Sequence, residues 1–364
     1  MKNEKLIFGV MSGTSLDGID VVLIKVAKNK ITLIDFIHKP YSKSLIHHLL
    51  LIQQPGHDDL EKSIQLGLVH AKLTSSIINL MLKNTNIKAK DIRGIGYHGQ
   101  TIRHQPKKKF SVQIGNAHWL AEKTNISVVS DFRNRDIVAG GEGAPLVPGF
   151  HQHVFSSRSK NRVIVNIGGI SNLSYLTTDN KINGFDCGPG NLLLDYWIKN
   201  NMGKNYDHQG RWSSNGDTIP SLLSAFLEEP FFNKKPPKST GRDLFNENWL
   251  EKFNLNHERP VDVQRTFLEL TAISISSSIK KYCKKADQIF LCGGGSKNLF
   301  LKKRLGELTA LPINDTDILG IPSQSVEAVA FGWLANQALD NIPNNSPSIT
   351  GSIGSRILGV TYPA

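Results

Sequence analysis

The sequence has few cysteines and no long apolar segment. Its 364 residues include three cysteines, Cys187, Cys283 and Cys292, which are odd in number and widely spaced. That pattern argues against a disulfide framework and is typical of a reducing cytoplasm, where we expect the protein to work. No apolar run approaches the roughly 20 residues that a membrane-spanning helix needs, and the N-terminus has no secretory apolar region. We therefore expect no membrane partner.

Acidic residues are in deficit, with 31 against 43 basic residues and a formal net charge of +12. Nucleic-acid binding is the first class of function that this charge raises. The basic residues lie in small separate groups, such as 107–109 and 302–304, without interleaved aromatic residues that could stack on bases. Such groups are usually solvated, so we expect no nucleic-acid partner, although a positive field favours anionic small molecules such as nucleotides.

The order of apolar runs and turns indicates a duplicated α/β fold. Strand, glycine-rich turn, strand, short turn and strand occur near 6–38, with a turn at 28–30, and again near 162–186. We expect a domain at 1–145 that also includes 348–364, and a second domain at 146–347. Other local expectations are an irregular lid at 203–245, a helix that Asp262 caps, and a helix over 57–84. We expect that last helix to bury Leu66, Val69, Leu73, Ile77 and Leu80 on one face.

The turn after the first strand reads Gly-Val-Met-Ser-Gly-Thr-Ser-Leu-Asp-Gly-Ile-Asp over residues 9–20. Backbone N–H groups of such a turn can hold phosphate oxygens, with Gly13 and Gly18 allowing close approach and the hydroxyls at 12, 14 and 15 as further donors. Asp17 and Asp20 could hold a magnesium ion through its waters. The alternative is a β-hairpin with a polar turn.

Three more glycine-rich turns follow apolar strands, at Gly168-Gly169, Gly188-Pro-Gly190 and Gly293–Gly295. A glycine turn between a strand and a helix is a common place for a nucleotide to lie against the backbone and a helix N-terminus. No Gly-x-x-x-x-Gly-Lys-Ser/Thr loop is present, which disfavours a P-loop enzyme. Four such turns in a duplicated frame therefore predict a nucleotide site without a Walker lysine.

Polar residues at other strand ends are candidates for chemistry. Asp186 ends a strand just before the Gly-Pro-Gly turn and could be a general base, or alternatively a turn cap that bonds its own backbone. Arg133 could grip a carboxylate with two hydrogen bonds, or pair with Asp136 to fix a loop. His98 and Gln100 could bind substrate hydroxyls. A thiol nucleophile at Cys187 is disfavoured because the local sequence suggests no histidine partner.

These features together resemble the anhydro-N-acetylmuramic acid kinase family nearly end to end. The segments that carry the resemblance are 9–18, 98–101, 131–133, 140–141 with 143–146, 166–172, 185–186 with 188–191, 237–241, 292–298, 327–328 and 358–359. The resemblance implies the sugar-kinase/Hsp70/actin fold, in which two RNase-H-like domains surround a nucleotide cleft. It also suggests a homodimer.

The resemblance further implies a coupled reaction. The 1,6-anhydro ring of anhydro-N-acetylmuramic acid is cleaved with water and O6 is phosphorylated from ATP, with Mg²⁺, in peptidoglycan recycling. Asp186 matches the catalytic base. The expected ATP contacts are Gly13, Thr14, Ser15, Leu16, Asp17, Gly18, Ile19, Asp20, Gly168, Gly169, Gly188, Gly190, Asn191, Gly293, Gly294 and Gly295. The expected sugar contacts are His98, Gln100, Arg133 and Glu327, with Arg133 on the lactyl carboxylate.

The chain departs from the family pattern at few positions. Cys187 stands where threonine is usual, Glu142 where glutamine is common, and Arg211-Trp212 where smaller residues are usual. None of these removes a group that the reaction needs. Two alternatives remain open from the sequence: a kinase of another amino sugar on the same fold, and a nucleotide-binding chaperone or filament module of the same superfamily.

Overall fold

The structure is a computed structural model that describes residues 4–27, 30–53, 56, 59–242 and 244–364. Its contacts divide the chain into two compact units, Met1–Val154 with Ser325–Ala364, and Phe155–Gln324. The domain limits drawn from the sequence, at 145/146 and 347/348, stay predictions. Residues 28 and 29 of the expected turn, and 57 and 58 of the expected helix, lie outside the described residues.

The regular elements alternate along the chain. The strands are β1 Lys5–Ser12, β2 Gly18–Ala27, β3 Lys30–Pro40, β4 Ile92–Gln105, β5 Phe110–Ile114, β6 Val128–Ser130, β7 Arg162–Ile167, β8 Ile170–Leu176, β9 Ile182–Pro189, β10 Gln288–Cys292, β11 Ile313–Asp315 and β12 Val360–Tyr362. The helices are α1 Lys43–Gln53, α2 Asp59–Thr85, α3 Ala117–Thr124, α4 Asn134–Val138, α5 Pro148–Phe155, α6 Leu192–Met202, α7 Pro220–Leu227, α8 Pro230–Asn233, α9 Glu247–Leu250, α10 Pro260–Tyr282, α11 Leu299–Thr309, α12 Val326–Leu339 and α13 Pro347–Thr350. Within the described ranges, no helix is both long and apolar enough to cross a membrane.

The sheet of the first unit has the order β12-β6-β4-β1-β2-β3, and β5 pairs with β4. The meander β1–β2–β3 is antiparallel, whereas β1, β4 and β6 run parallel to one another. Alternate residues of β1 and β2, such as Phe8, Val10 and Val21, enter a core that also includes Ile78 and Met81 of α2. One face of this sheet is therefore covered by α2.

The sheet of the second unit has the order β11-β10-β7-β8-β9. Again the first three strands form an antiparallel meander, and β7, β10 and β11 run parallel. Val163 and Val165 of β7 share a core with Val263 and Phe267 of α10. The order β3-β2-β1-β4-β6 in the first unit thus matches the order β9-β8-β7-β10-β11 in the second, which confirms the duplicated architecture.

Several local expectations are wrong in detail. Helix α2 buries Ile77 as expected, and Leu66 and Leu73 pack against the core. Val69 and Leu80 are instead 41% and 48% exposed, and the buried face includes Gly67, Thr74 and His70. The reason is that His70 finds buried hydrogen-bond partners, which offsets the cost of placing a polar group inside.

The region at 203–245 includes α7 and α8, and is not wholly irregular. Asp262 lies within the first turn of α10 instead of capping it, because Pro260 begins the helix and Arg259 is the N-cap. Neither α1 nor β5 is among the elements that we expected from the sequence.

Helix α12 lies directly on β1 and β4 because neither strand has a side chain at the contact. Gly9 and Gly96 are register partners in the parallel pair. A Cβ atom on Gly9 would overlap the carbonyl oxygen of Ala328, and one on Gly96 would overlap the carbonyl oxygen of Phe331. Both obstacles are main-chain atoms of a helix, which cannot move aside as a side chain can.

Gly9→Ala is expected to destabilise the first unit by about 2–3 kcal/mol, because the helix must move away from the sheet to admit the methyl group. Urea unfolding followed by circular dichroism measures the change.

Gly306→Ala on α11 is the matched control, since no described atom lies within 4 Å of its added Cβ. It should be neutral or stabilise by up to about 1 kcal/mol through helix propensity. Equal stability of Gly9→Ala and the wild type would contradict the proposed close packing.

Candidate active site

The loop between β1 and β2 keeps its polar side chains at the surface. Thr14, Ser15 and Asp17 are exposed, and Leu16 is buried with a φ of 59°. The Leu16 N–H donates to the carbonyl of Gly13 at 3.3 Å, and the Ser15 hydroxyl donates to Asp17 Oδ1 at 2.8 Å. The loop is therefore a tight turn with an apolar anchor and an outward polar rim.

A buried hydrogen-bond network holds the start of this loop. Ser12 Oγ lies 3.0 Å from His70 Nε2 and donates to the carbonyl of Gly99 at 2.9 Å. His70 Nδ1 lies 2.6 Å from the hydroxyl of Tyr97. These partners are all satisfied when neutral His70 carries its proton on Nε2 and donates it to Ser12. The single proton of the Ser12 hydroxyl is thus used within the protein, unlike our expectation that it serves a phosphate.

Burial lowers the pKa of His70 to about 3, because the charged imidazolium would lose its hydration in this apolar surrounding. His70 is not among the candidates expected from the sequence, because one histidine in an amphipathic helix has no pattern that separates a buried histidine from an exposed one.

The glycines of the candidate phosphate loops fall into two groups. A Cβ on Gly18 would overlap the carbonyl of Lys39, so packing of β3 explains that glycine. A Cβ on Gly13, Gly168 or Gly294 would meet no described heavy atom closer than 3.4 Å. The fold itself does not demand glycine at these three positions, whereas close approach of a ligand to the backbone would.

Asp17 and Asp20 lie just before and just inside β2, and Asp20 Oδ1 is 2.7 Å from His38 Nδ1. No group of three or more His, Cys, Asp and Glu side chains among the described residues could hold a metal ion. Mg²⁺ often uses only one or two carboxylates and completes its shell with waters and phosphates, so these two residues fit that kind of site.

His98 and Arg133 are brought together in the first unit. Arg133 directs Nε and Nη2 at His98 Nε2, at 3.1 and 2.9 Å, and Nη1 donates to the carbonyl of Gly143 at 2.7 Å. His98 Nδ1 donates to the carbonyl of Gly99 at 2.7 Å. Burial, with the Arg133 charge second, holds the pKa of His98 well below its usual range. Neutral His98 therefore orients the guanidinium.

The carboxylate of Asp136 accepts hydrogen bonds from the Gly143 N–H and the Thr350 hydroxyl, both at 2.9 Å.

Gln100 and Glu327 lie on elements that adjoin this cluster. Gln100 Nε2 donates to the carbonyl of Gly13 at 3.0 Å, so this buried side chain contacts the phosphate-loop backbone. Glu327 lies in the first turn of α12, one turn before Phe331. The Phe331 ring is 4.6 Å from the His98 ring, centroid to centroid, and residues four apart share a helix face.

Three glycine turns converge in the second unit. The Asn191 N–H donates to the carbonyl of Gly168 at 2.8 Å, and the Gly190 N–H donates to that of Gly169 at 2.9 Å. Asn191 is also the N-cap of α6, and Gly293–Gly295 lies against Ile167 at the end of β7. The turns after β7, β9 and β10 thus meet at one edge of the sheet. Among their glycines, Gly168 and Gly294 are positions where an added Cβ would meet no described heavy atom closer than 3.6 Å.

Asp186 lies in β9 beside a β-bulge. Asn172 pairs with Asp186 and Ser171 with Gly188, so Cys187 is the extra residue. Phe185 and Cys187 enter the core, which directs Asp186 to the opposite face of the sheet. Burial raises the pKa of Cys187 to about 12, so this thiol is unsuited to act as a nucleophile.

A distant segment fixes Asp186. The Asp186 N–H donates to the carbonyl of Lys238 at 3.2 Å, and the Thr240 N–H donates to Asp186 Oδ2 at 3.0 Å. Asp186 is therefore held by a segment 54 residues further on. The segment 237–241 was noted in the sequence only as part of the resemblance, without a role.

Each of the two units has a sheet in which an antiparallel three-stranded meander is extended by parallel strands, and this repeated sheet identifies the fold class. The chain has the sugar-kinase/Hsp70/actin fold, built from two RNase-H-like domains, as the sequence predicted. A solved structure of the activator of the 2-hydroxyisocaproyl-CoA dehydratase from Clostridium difficile with bound ADPNP aligns with 94% of this chain and 99% of that one, at 14% identity and a TM-score of 0.48.

Sequence comparison identifies the family. The model of the anhydro-N-acetylmuramic acid kinase family matches residues 5–364. The kinase of that name from Nitrosospira multiformis is 45% identical, over 98% of this chain and 98% of that protein. The one from Pseudomonas syringae pv. tomato is 46% identical over the same shares of both chains. The chain belongs to the anhydro-N-acetylmuramic acid kinase family and is an enzyme, a kinase.

Stability is expected to fall on acidification. The native pKa of His70 is about 3 and the unfolded value about 6.5, so between these the unfolded chain binds more protons and stability falls as the pH falls. From pH 7.5 to 5.5 the loss from His70 is on the order of 1 kcal/mol, measured from urea midpoints.

His70→Gln should reduce this pH dependence, since glutamine can donate to Ser12 and accept from Tyr97 without titrating. His257→Gln, at an exposed position, is the control and should keep the wild-type pH dependence. An unchanged pH dependence in His70→Gln would refute the assignment of a neutral buried His70.

Proposed function

We propose that this kinase opens the 1,6-anhydro ring of anhydro-N-acetylmuramic acid with water and phosphorylates O6 from ATP, giving N-acetylmuramic acid 6-phosphate. Membership of the family supports the substrate. The observation that carries the mechanism is Asp186, a carboxylate that is 8% exposed and hydrogen-bonded to the Thr240 N–H. A buried, oriented carboxylate next to glycine turns is suited to general-base catalysis.

The reaction couples two bond changes. Asp186 takes a proton from water as the water oxygen bonds to C1 and the C1–O6 bond breaks. The electron pair released on O6 attacks the γ-phosphorus, and the bond from that phosphorus to the bridging oxygen breaks to release ADP. The proton on Asp186 then passes to solvent. The anhydro sugar, water and ATP thus give sugar 6-phosphate, ADP and a proton.

The nucleotide contacts in this proposal are those expected from the sequence. Loop 13–20 of the first unit contacts the phosphates, and the turn 293–295 of the second unit contacts the nucleoside. An added Cβ on Gly13, Gly168 or Gly294 would meet no described heavy atom closer than 3.4 Å, so packing does not account for these glycines, which supports close approach of ATP to the backbone there. Asp17 and Asp20 would hold Mg²⁺, which neutralises phosphate charge when bound.

The sugar contacts come from the first unit. Arg133 pairs with the lactyl carboxylate, and His98 orients Arg133 through its Nε2 atom. Gln100 and Glu327 are the other two proposed sugar-binding residues. An oriented guanidinium loses less entropy on binding than a mobile one, so the contact with His98 supports this role for Arg133.

The proposal also includes a cytoplasmic role in peptidoglycan recycling and a homodimer. Light scattering coupled to size-exclusion chromatography tests the oligomeric state.

Asp186→Asn should lower kcat at least about 1,000-fold, because asparagine keeps the shape and the acceptor for the Thr240 N–H but cannot take a proton. Mass spectrometry of the product formed in ¹⁸O-labelled water measures the turnover. The wild type should place the label at C1 and the phosphate on O6.

Asp179→Asn is the matched control, because Asp179 is exposed on the turn before β9. It should leave kcat unchanged, and both variants should bind ATP as the wild type does. Near-normal turnover by Asp186→Asn would exclude Asp186 as the base.

Arg133→Lys should raise KM for the anhydro sugar about tenfold or more and leave KM for ATP unchanged, because lysine cannot form the paired hydrogen bonds of a guanidinium. Steady-state kinetics with each substrate varied measures both constants.

The control changes the substrate and keeps the same two enzymes, the wild type and Arg133→Lys. On 1,6-anhydro-N-acetylglucosamine, which has no lactyl carboxylate, wild type and Arg133→Lys should have similar KM values. An equal loss on both sugars would place Arg133 away from the carboxylate.

A further inference from the structure

The hydroxyl of Thr240 is a buried polar atom without a hydrogen-bond partner among the described residues. Such groups are rare in folded proteins, because burial removes their bonds to water and nothing replaces them. An unpaired hydroxyl at a functional site therefore points to a partner that the protein itself does not supply.

Thr240 is also in direct contact with Asp186. Its N–H donates to Asp186 Oδ2 at 3.0 Å. Three bonds, N–Cα, Cα–Cβ and Cβ–Oγ1, separate that nitrogen from Oγ1, so Oγ1 lies within about 7 Å of Oδ2. Two hydrogen bonds of about 2.8 Å each, made through one water oxygen, connect atoms up to about 5.6 Å apart, a separation that lies within this limit.

The segment that carries Thr240 is anchored by Lys238. The Lys238 side chain is buried, with Nζ 4.5 Å from the centroid of the Phe231 ring and 3.4 Å from the carbonyl oxygen of Phe231. The carbonyl of Lys238 accepts the N–H of Asp186. The main chain at 238–240 therefore follows Asp186 closely.

We propose that Thr240 is a further catalytic residue, whose hydroxyl binds the water molecule that Asp186 deprotonates. The inference rests on the proposed function. Water must give one proton to Asp186 and direct a lone pair at C1. If its second O–H donates to Thr240 Oγ1, the direction of that lone pair is fixed. Thr240 neither gains nor loses a proton in this step.

The test compares Thr240→Val with Thr240→Ser. Valine has nearly the same shape and keeps the N–H that binds Asp186, but it removes the hydroxyl. We expect kcat to fall about tenfold or more with KM for ATP unchanged, since only the water loses a partner. Serine should restore most of kcat.

Thermal melting separates this role from a structural one. Replacing an unpaired buried hydroxyl with a methyl group should not lower the melting temperature, so a drop in kcat without a drop in stability supports the proposal. Ser239→Ala, which removes the neighbouring hydroxyl, is the matched control and should keep wild-type kcat. Thr240→Ala provides a second variant without the hydroxyl.

Two results would overturn the role of Thr240: wild-type kcat in both Thr240→Val and Thr240→Ala, or a loss in Thr240→Val that Thr240→Ser does not restore. Failure of the proposed function has a different signature. In that case the wild type forms no labelled 6-phosphate, or Asp186→Asn stays active, whatever the Thr240 variants do.

Discussion

The first unit depends on direct contact between helix α12 and the backbone of two strands. Gly9 and Gly96 provide no side chain at this contact, so the helix lies against the main chain. β1 leads into the candidate phosphate loop, β4 carries His98 and Gln100, and α12 carries Glu327. A single packing constraint thus sets the relative positions of three groups of candidate site residues, because each element extends rigidly from the same contact.

Buried polar groups then fix the details around that frame. In the first unit, neutral His70 joins Tyr97 to Ser12, and neutral His98 orients Arg133. In the second unit, main-chain bonds from the segment at 238–240 hold Asp186. Each group works in a low-dielectric surrounding, where an unpaired polar atom is costly and a paired one is rigid. The same burial that stabilises these arrangements keeps both histidines uncharged.

The sequence predicted the parts that follow from local pattern. Apolar runs and glycine turns located both meanders. The expectation that Asp186 ends its strand is wrong, because β9 continues to Pro189 and pairs with β8 as far as Ile170. Contacts between distant segments left no such pattern. Thr240 lies 54 residues from Asp186, and nothing in the spacing relates them. His70 is one polar residue of helix α2, and its buried hydrogen-bond partners, Ser12 and Tyr97, lie on strands far from it in the sequence. Gly13 and Gly18 read alike, although only Gly18 is required by packing.

The difference among the glycines has a consequence for evolution. Gly18, Gly190 and Gly295 are constrained by folding, so every descendant of the fold must retain a very small residue there, active or not. Packing does not require glycine at Gly13, Gly168 or Gly294. Purifying selection at these three positions would act through the ligand alone. In a lineage that lost the reaction but kept the fold, these are the glycines that drift first, and their decay would date the loss of activity.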